Sequence, residues 1–170
     1  IFSANAQNWT KSDIENIQKF SIKSNKDPID SSNKYINNQK AIELGQILFN
    51  DQRLSSNGKI SCSSCHQEKY AFTDNKKLSF GLREGFRNTS TLLNVGQQHW
   101  FFADGAKDSL WAQALSSIEN PAEQNFTRME VFHLIANDEN YKKRYREIFK
   151  KPLLKVSRIG LPKQAGPNAK

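Results

Sequence analysis

The chain has 170 residues, with 25 lysines and arginines against 17 aspartates and glutamates and a formal net charge of +8. That length suits one domain with extended arms, and at a mean hydropathy of −0.74 it holds no apolar run near the ~20 residues of a membrane span. The cations are scattered and no nucleic-acid reading motif accompanies them, so the charge describes a mildly basic surface that attracts acidic partners and excludes a nucleic-acid binder.

Residues 1–38 are rich in Asn, Ser and Lys and read as an N-terminal arm that packs on the body or on a partner. Within it, Ser12 and Glu15 have capping-box spacing, and Ile14, Ile17 and Phe20 follow on one face of a short helix. A second helix is predicted from about Gln39 to Phe49, with Ile42, Leu44, Ile47, Leu48 and Phe49 as its apolar contacts. A turn at Ser56-Asn57-Gly58 follows. Residues 67–108 hold neither period for long and are punctuated by Gly81, Gly85, Gly96 and Gly105, so they read as long loops. Helical patterning returns at Ser109–Ile118 and stops at Asn120-Pro121. Thr127 and Glu130 form a capping box that opens another helix, carrying Val131, Phe132, Leu134 and Ile135. A last helix near Glu139–Lys150 bears Tyr141, Tyr145, Ile148 and Phe149. Residues 39–150 form the main domain, and 151–170 read as a tail or linker rich in Lys, Gly and Pro. There are no internal repeats and no strand set, so the predicted class is all-α.

The chemistry concentrates at Cys62-Ser63-Ser64-Cys65-His66, which holds both cysteines of the chain and one of its three histidines. The pattern C-x-x-C-H reads as a c-type haem attachment site. Each thiol can form a thioether to a haem vinyl group, and the adjacent imidazole then falls under the iron as proximal ligand. On these residues alone three other readings stay open. They are a Cys62–Cys65 disulfide, a zinc site completed by His99 or His133, and a redox dithiol, which wants a βαβ context not evident here. The opening residues show no basic-then-apolar leader. Because haem is attached covalently outside the bacterial inner membrane, the haem reading carries with it a periplasmic, exported chain.

The residues around the motif carry a resemblance. Leu44-Gly45-Gln46-Ile47-Leu48-Phe49-Asn50-Asp51-Gln52-Arg53-Leu54-Ser55 precedes it, and Ala71-Phe72-Thr73-Asp74 follows. Then come Arg87-Asn88-Thr89-Ser90-Thr91-Leu92-Leu93-Asn94, Phe102-Ala103-Asp104-Gly105, Gln113-Ala114 and Asn120-Pro121-Ala122-Glu123. In this order and spacing the segments resemble the N-terminal haem domain of bacterial di-haem cytochrome c peroxidases, a group that includes the enzyme maturing the tryptophan-derived cofactor of methylamine dehydrogenase. The resemblance implies a cytochrome c-like helical haem domain with loops wrapped around one covalent haem c. Cys62 and Cys65 match the thioether cysteines, and His66 matches the proximal ligand of the iron. Gln113 and Glu123 match the distal glutamine and the acid–base glutamate. Asn88 matches a ligand of a calcium ion between two haem domains. Hydrogen peroxide is the implied substrate, with electrons from a small cytochrome or cupredoxin, or from a second haem domain.

Three departures alter those expectations. Where related peroxidases place a histidine that caps the resting iron, this chain has Leu82, which cannot ligate, so an open, high-spin iron is expected. Ala103 stands where a tryptophan usually relays electrons between haems, and Ala106 replaces a common arginine. Trp100 and Trp111, close by in sequence, are expected to pack. Only one C-x-x-C-H is present, so the chain is expected either to be part of a longer protein that carries the second haem domain after the tail or to work with a separate electron donor. The rival from another functional class is a single-haem electron-transfer cytochrome c. It would use Met129, His99 or His133 as second axial ligand, although Met129 and His133 read as packed residues of their helix. A sensory or partner-binding haem module is a third class, to which no residue points specifically.

Overall fold

The computed structural model describes residues 9–21 and 30–153. The expected tail beyond residue 153 lies outside the described residues, as do 1–8 and 22–29 of the expected arm. The described residues form six α-helices and no strand, so the fold is all-α. The helices are α1 (Lys11–Lys19), α2 (Gln39–Asn50), α3 (Cys62–Cys65), α4 (Leu110–Glu119), α5 (Arg128–Asn137) and α6 (Glu139–Phe149).

Side-chain caps set most of the helix starts. Asn38 accepts from the Ala41 backbone N at 3.1 Å to open α2. Thr127 and Glu130 form the predicted reciprocal box at α5. Asp138 alone links α5 to α6, and its carboxylate accepts from the backbone N–H of Asn140 and Tyr141 at 3.0 and 3.1 Å. Helix α1 corrects one expectation: its box is Thr10 with Asp13, not Ser12 with Glu15. Both pairs have the right spacing, and the one at the extended residue Thr10 is the one that forms. Helix α1 also buries none of its residues among the described ones; Ile14, Ile17 and Phe20 are exposed, which leaves the partner as the surface such an arm would pack on.

The core lies between α2 and α6. Leu44, Tyr141 and Ile148 are buried, with Ala41, Ile47, Leu48, Leu134, Ile135, Tyr35 and Phe149 packed around them. Helix α5 lies against α6 and against the 3₁₀ turn Gln52–Leu54, so α2, α5 and α6 form one layer. A polar clamp ties the end of α2 to the start of α6. The Tyr141 hydroxyl donates to Asp51, and Arg53 bridges Asp51 at 2.7 Å and Asp138 at 2.9 Å. Burial opposes ionisation of Asp51, but the Arg53 and Tyr141 hydrogen bonds outweigh it and hold its carboxyl below the usual range. Burial and the Asp51 contact push the Tyr141 phenol up to about 12.

Residues 67–108 are loops, as predicted, and are held by local pairing. Isolated bridges join Gln67 to Thr73, Phe80 to Glu84 and Phe101 to Lys107. This loop region meets the C-x-x-C-H segment at two points, the Phe72 carbonyl beside His66 and the Phe80 carbonyl beside Cys65. Short helix α3 itself packs on α2.

Candidate haem and peroxide site

Helix α3 is the C-x-x-C segment itself. Ser61, buried at its start, donates its backbone N–H to the Ser64 hydroxyl oxygen at 3.0 Å, and the His66 N–H closes the turn on the Cys62 carbonyl at 2.9 Å. One helical turn brings Cys62 and Cys65 to the same side, and the two sulfurs are not bonded to each other. Burial pushes both thiols up, and the nearby Glu123 carboxylate adds to the shift of each. Two half-buried thiols one helical turn apart are placed as attachment of a single haem requires. Among the described residues no group of three His, Cys, Asp or Glu is placed to hold a metal ion.

His66 is oriented by the backbone. Its Nδ1 lies 3.0 Å from the Phe72 carbonyl oxygen. A carbonyl only accepts, so Nδ1 carries the hydrogen and donates, leaving the Nε2 lone pair free for a metal. Phe72 is presented by a tight turn, with positive φ at Ala71 and Phe72 and bonds from the Phe72 N and Gln67 N to Gln67 and Thr73 carbonyls. The Phe49 ring of α2 lies 6.3 Å from the imidazole, between centroids. The small core fits the same picture: only five apolar residues are buried among those described, as in a domain completed by a large apolar cofactor. The donor set therefore fits a covalent haem c.

Glu123 comes to this site from the turn after α4. It is half-buried and electrostatically coupled to His66, Cys62 and Cys65. Burial raises its carboxyl above the usual range, while Ser117, Asn120 and the His66 imidazole each pull it down. Asn120 Nδ2 donates to Glu123 Oε1 at 2.7 Å. Gln113, on α4, donates from Nε2 to the Ser117 hydroxyl at 3.1 Å. Ser117 is thus bonded to Gln113 and is also one of the groups that lower the Glu123 carboxyl. Sequence reading missed Ser117 and Asn120; the signal for Ser117 was its i+4 spacing from Gln113 on the same helix.

The loop that carries Leu82 is sewn to the Glu123 backbone. Leu82 N donates to the Glu123 carbonyl at 3.1 Å and Arg83 N to the Ala122 carbonyl at 3.0 Å. Gly81 sits so close that a Cβ there would lie 2.8 Å from the Ala122 oxygen and 2.9 Å from Glu123 Cα. The same loop reaches α3, where the Cys65 thiol faces the Phe80 carbonyl at 3.6 Å. Half-buried Leu82 therefore shares a backbone ladder with the acid–base candidate.

The remaining singled-out residues lie apart from this cluster. Ala103 and Ala106 are exposed in a loop closed by the Phe101–Lys107 bridge. Trp100 is 67% and Trp111 52% exposed, so the expectation that they pack fails among the described residues; the Trp111 indole N–H donates to Ser32 at 3.0 Å. His99 is exposed. His133 stacks edge-on against Phe132 and lines a groove with Arg53, Phe126, Glu130 and Asp138 that includes no residue of the C-x-x-C-H segment. Met129 is half-buried on α5. Asn88 is exposed, with its side chain near the Thr89 carbonyl at 3.4 Å. No helix of the described residues is long and apolar enough to cross a membrane.

Comparison with known proteins agrees with this geometry. The model of the di-haem cytochrome c peroxidase family matches residues 39–163. The chain is 36% identical over 124 residues to cytochrome c551 peroxidase of Nitrosomonas europaea, covering 72% of this chain and 37% of that protein. It is 34% identical over 110 residues to the methylamine utilization protein MauG of Methylorubrum extorquens, covering 64% and 31%. Among solved structures, a MauG-like protein associated with microbial copper homeostasis superposes with a TM-score of 0.62 at 29% identity, over 68% of this chain and 36% of that one. The chain spans about a third of the length of the curated relatives it matches.

Proposed function

This chain belongs to the di-haem cytochrome c peroxidase family, and from that premise we propose that it is the peroxide-reacting haem domain of an exported peroxidase. Cys62 and Cys65 hold haem c covalently, and His66 Nε2 ligates its iron. Bound there, the haem supplies the redox centre at which peroxide is cleaved. The overall reaction takes one hydrogen peroxide, two electrons and two protons to two waters. Glu123 takes a proton from one peroxide oxygen and returns it to the other, which leaves as water. Gln113 orients the peroxide. A carboxyl raised by burial yet held by two donors is suited to both halves of that transfer.

The observation that carries this reading is the placement of half-buried Glu123, whose carbonyl accepts the Leu82 N–H at 3.1 Å from the same loop whose Phe80 carbonyl faces the Cys65 thiol at 3.6 Å. Leu82 in place of a capping histidine supports a resting iron that needs no reductive opening. The electrons come from a small cytochrome or cupredoxin, or from a second haem domain, in the periplasm. Asn88 contributes to a calcium site completed outside this chain. The test is Glu123→Gln in the haem-loaded protein, followed by stopped-flow mixing with hydrogen peroxide. The expected loss is roughly 10²–10⁴-fold in the peroxide rate constant with haem content unchanged. An unchanged rate constant would refute the acid–base role.

A further inference from the structure

We propose that Ser117 and Asn120 are positioning residues that hold the Glu123 carboxyl, and through Ser117 the Gln113 amide, as one proton-handling unit; this rests on the peroxidase reading above. Ser117 stands one turn after Gln113 on α4, and its oxygen accepts the Gln113 Nε2–H at 3.1 Å. A hydroxyl has one proton to donate. With its oxygen engaged by Gln113, that proton is the one we assign to the Glu123 carboxyl, whose opposite side Asn120 holds at 2.7 Å.

Asn120 approaches the same carboxyl from the turn, donating Nδ2–H to Oε1 at 2.7 Å. Its orientation is set on its other side. Asn120 Oδ1 accepts the Ala122 N–H at 2.9 Å, and the Asn120 carbonyl accepts from the N–H of Glu123 and Asn125 at 3.0 and 2.9 Å. The amide therefore cannot turn its oxygen toward Glu123 without losing the Ala122 bond. The donor sequence runs from Gln113 to Ser117 to Glu123, with Asn120 donating from the opposite side. Two donors aimed at one carboxyl favour its acceptor form, the form that takes the first proton from peroxide. The Leu82 N–H pins the Glu123 carbonyl and the Arg83 N–H pins that of Ala122 beside it, so side chain and main chain are held from different elements. Gln113 is bound into the unit because turning its amide would break the Ser117 contact.

Four variants of the haem-loaded protein test this by stopped-flow reaction of the ferric form with hydrogen peroxide. Ser117→Ala is expected to slow the reaction roughly tenfold, the effect of one lost hydrogen bond to a charged group. Ser117→Thr, which keeps the hydroxyl, is expected to restore most of the rate. Ser117→Ala combined with Glu123→Gln is expected to match Glu123→Gln alone, since Ser117 acts through that carboxyl. Asn120→Asp keeps an acceptor for the Ala122 N–H but removes the donor, and is expected to slow the reaction as well. The haem-to-protein absorbance ratio of each variant reports whether it folds and loads. Full speed in Ser117→Ala or Asn120→Asp alongside a slow Glu123→Gln would overturn the positioning role and leave the peroxidase reading standing. A double variant slower than Glu123→Gln alone would overturn the claim that Ser117 works through Glu123. Full speed in Glu123→Gln itself would overturn both readings at once.

Discussion

Gly81→Ala separates a structural role for the Leu82 loop from an incidental contact. The new methyl would meet the Ala122 oxygen at 2.8 Å, Glu123 Cα at 2.9 Å and the Glu123 oxygen at 3.0 Å. All three are backbone atoms, so no side-chain rotation relieves the contact, and the loop and the 122–123 segment must separate by about half an ångström to reach ordinary contact distance. That movement strains the Leu82–Glu123 and Arg83–Ala122 hydrogen bonds, each contributing about 0.5–1.5 kcal/mol. Together with the overpacking itself, the expected loss is about 2–3 kcal/mol, which for a chain of this size lowers the unfolding midpoint by roughly 5–10 °C. Because the displaced atom is Glu123 Cα, the peroxide rate constant should fall too. Gly45→Ala is the control: no atom lies within 4 Å of a Cβ there, and the site is inside α2. That change should be neutral or stabilise by up to ~1 kcal/mol. Thermal unfolding of both variants, with the peroxide rate measured alongside, decides the matter. A Gly81→Ala protein as stable and as fast as wild type would refute the claim that this loop holds Glu123 in place.

Three further outcomes are expected. Leu44→Ala opens the centre of the α2–α6 core, where the side chain is 7% exposed, and should cost about 3 kcal/mol by denaturant titration. Asp51 titrates below its ordinary value of 3.8 in the fold, so the stability its pairing contributes is complete above that value and lost as pH falls through the lowered one. Asp51→Asn should therefore flatten the acid limb of the stability–pH curve, and an unaltered limb would contradict the clamp. Glu123 behaves in the opposite sense: its carboxyl is raised above 4.5 by burial, so the fold is penalised as pH rises through the raised value. Glu123→Gln should then be more stable than wild type at pH 7 but equal to it near pH 3, read as unfolding midpoints at the two pH values.

Local signals made much of the fold legible. Thr127 is a cap whose chemistry acts within three residues, and the apolar spacing of Leu44, Ile47 and Leu48 points to the α2 face that packs on α6; the caps Asn38 and Asp138 went unread. The C-x-x-C-H segment was equally legible, because one helical turn and the next residue carry its whole geometry. Two capping boxes of equal spacing compete at α1, and spacing alone does not choose Thr10 over Ser12. The contact of Gly81 with Glu123 joins residues far apart in the chain through a loop of no period, so nothing local announces it. Ser117 is visible as i+4 from Gln113, but its coupling to Glu123 depends on how the Asn120-Pro121 turn folds back. The exposure of Trp100 and Trp111 went against the usual burial of large aromatic residues.

The central claim is a haem carried on Cys62, Cys65 and His66, with an open face handled by Glu123. The direct measurement is the optical spectrum of the ferric haem-loaded protein before and after hydrogen peroxide is added. A high-spin resting spectrum that changes on mixing with peroxide is expected. A low-spin spectrum with a methionine-to-iron charge-transfer band, unchanged by peroxide, would contradict it and mark the chain as an electron-transfer cytochrome.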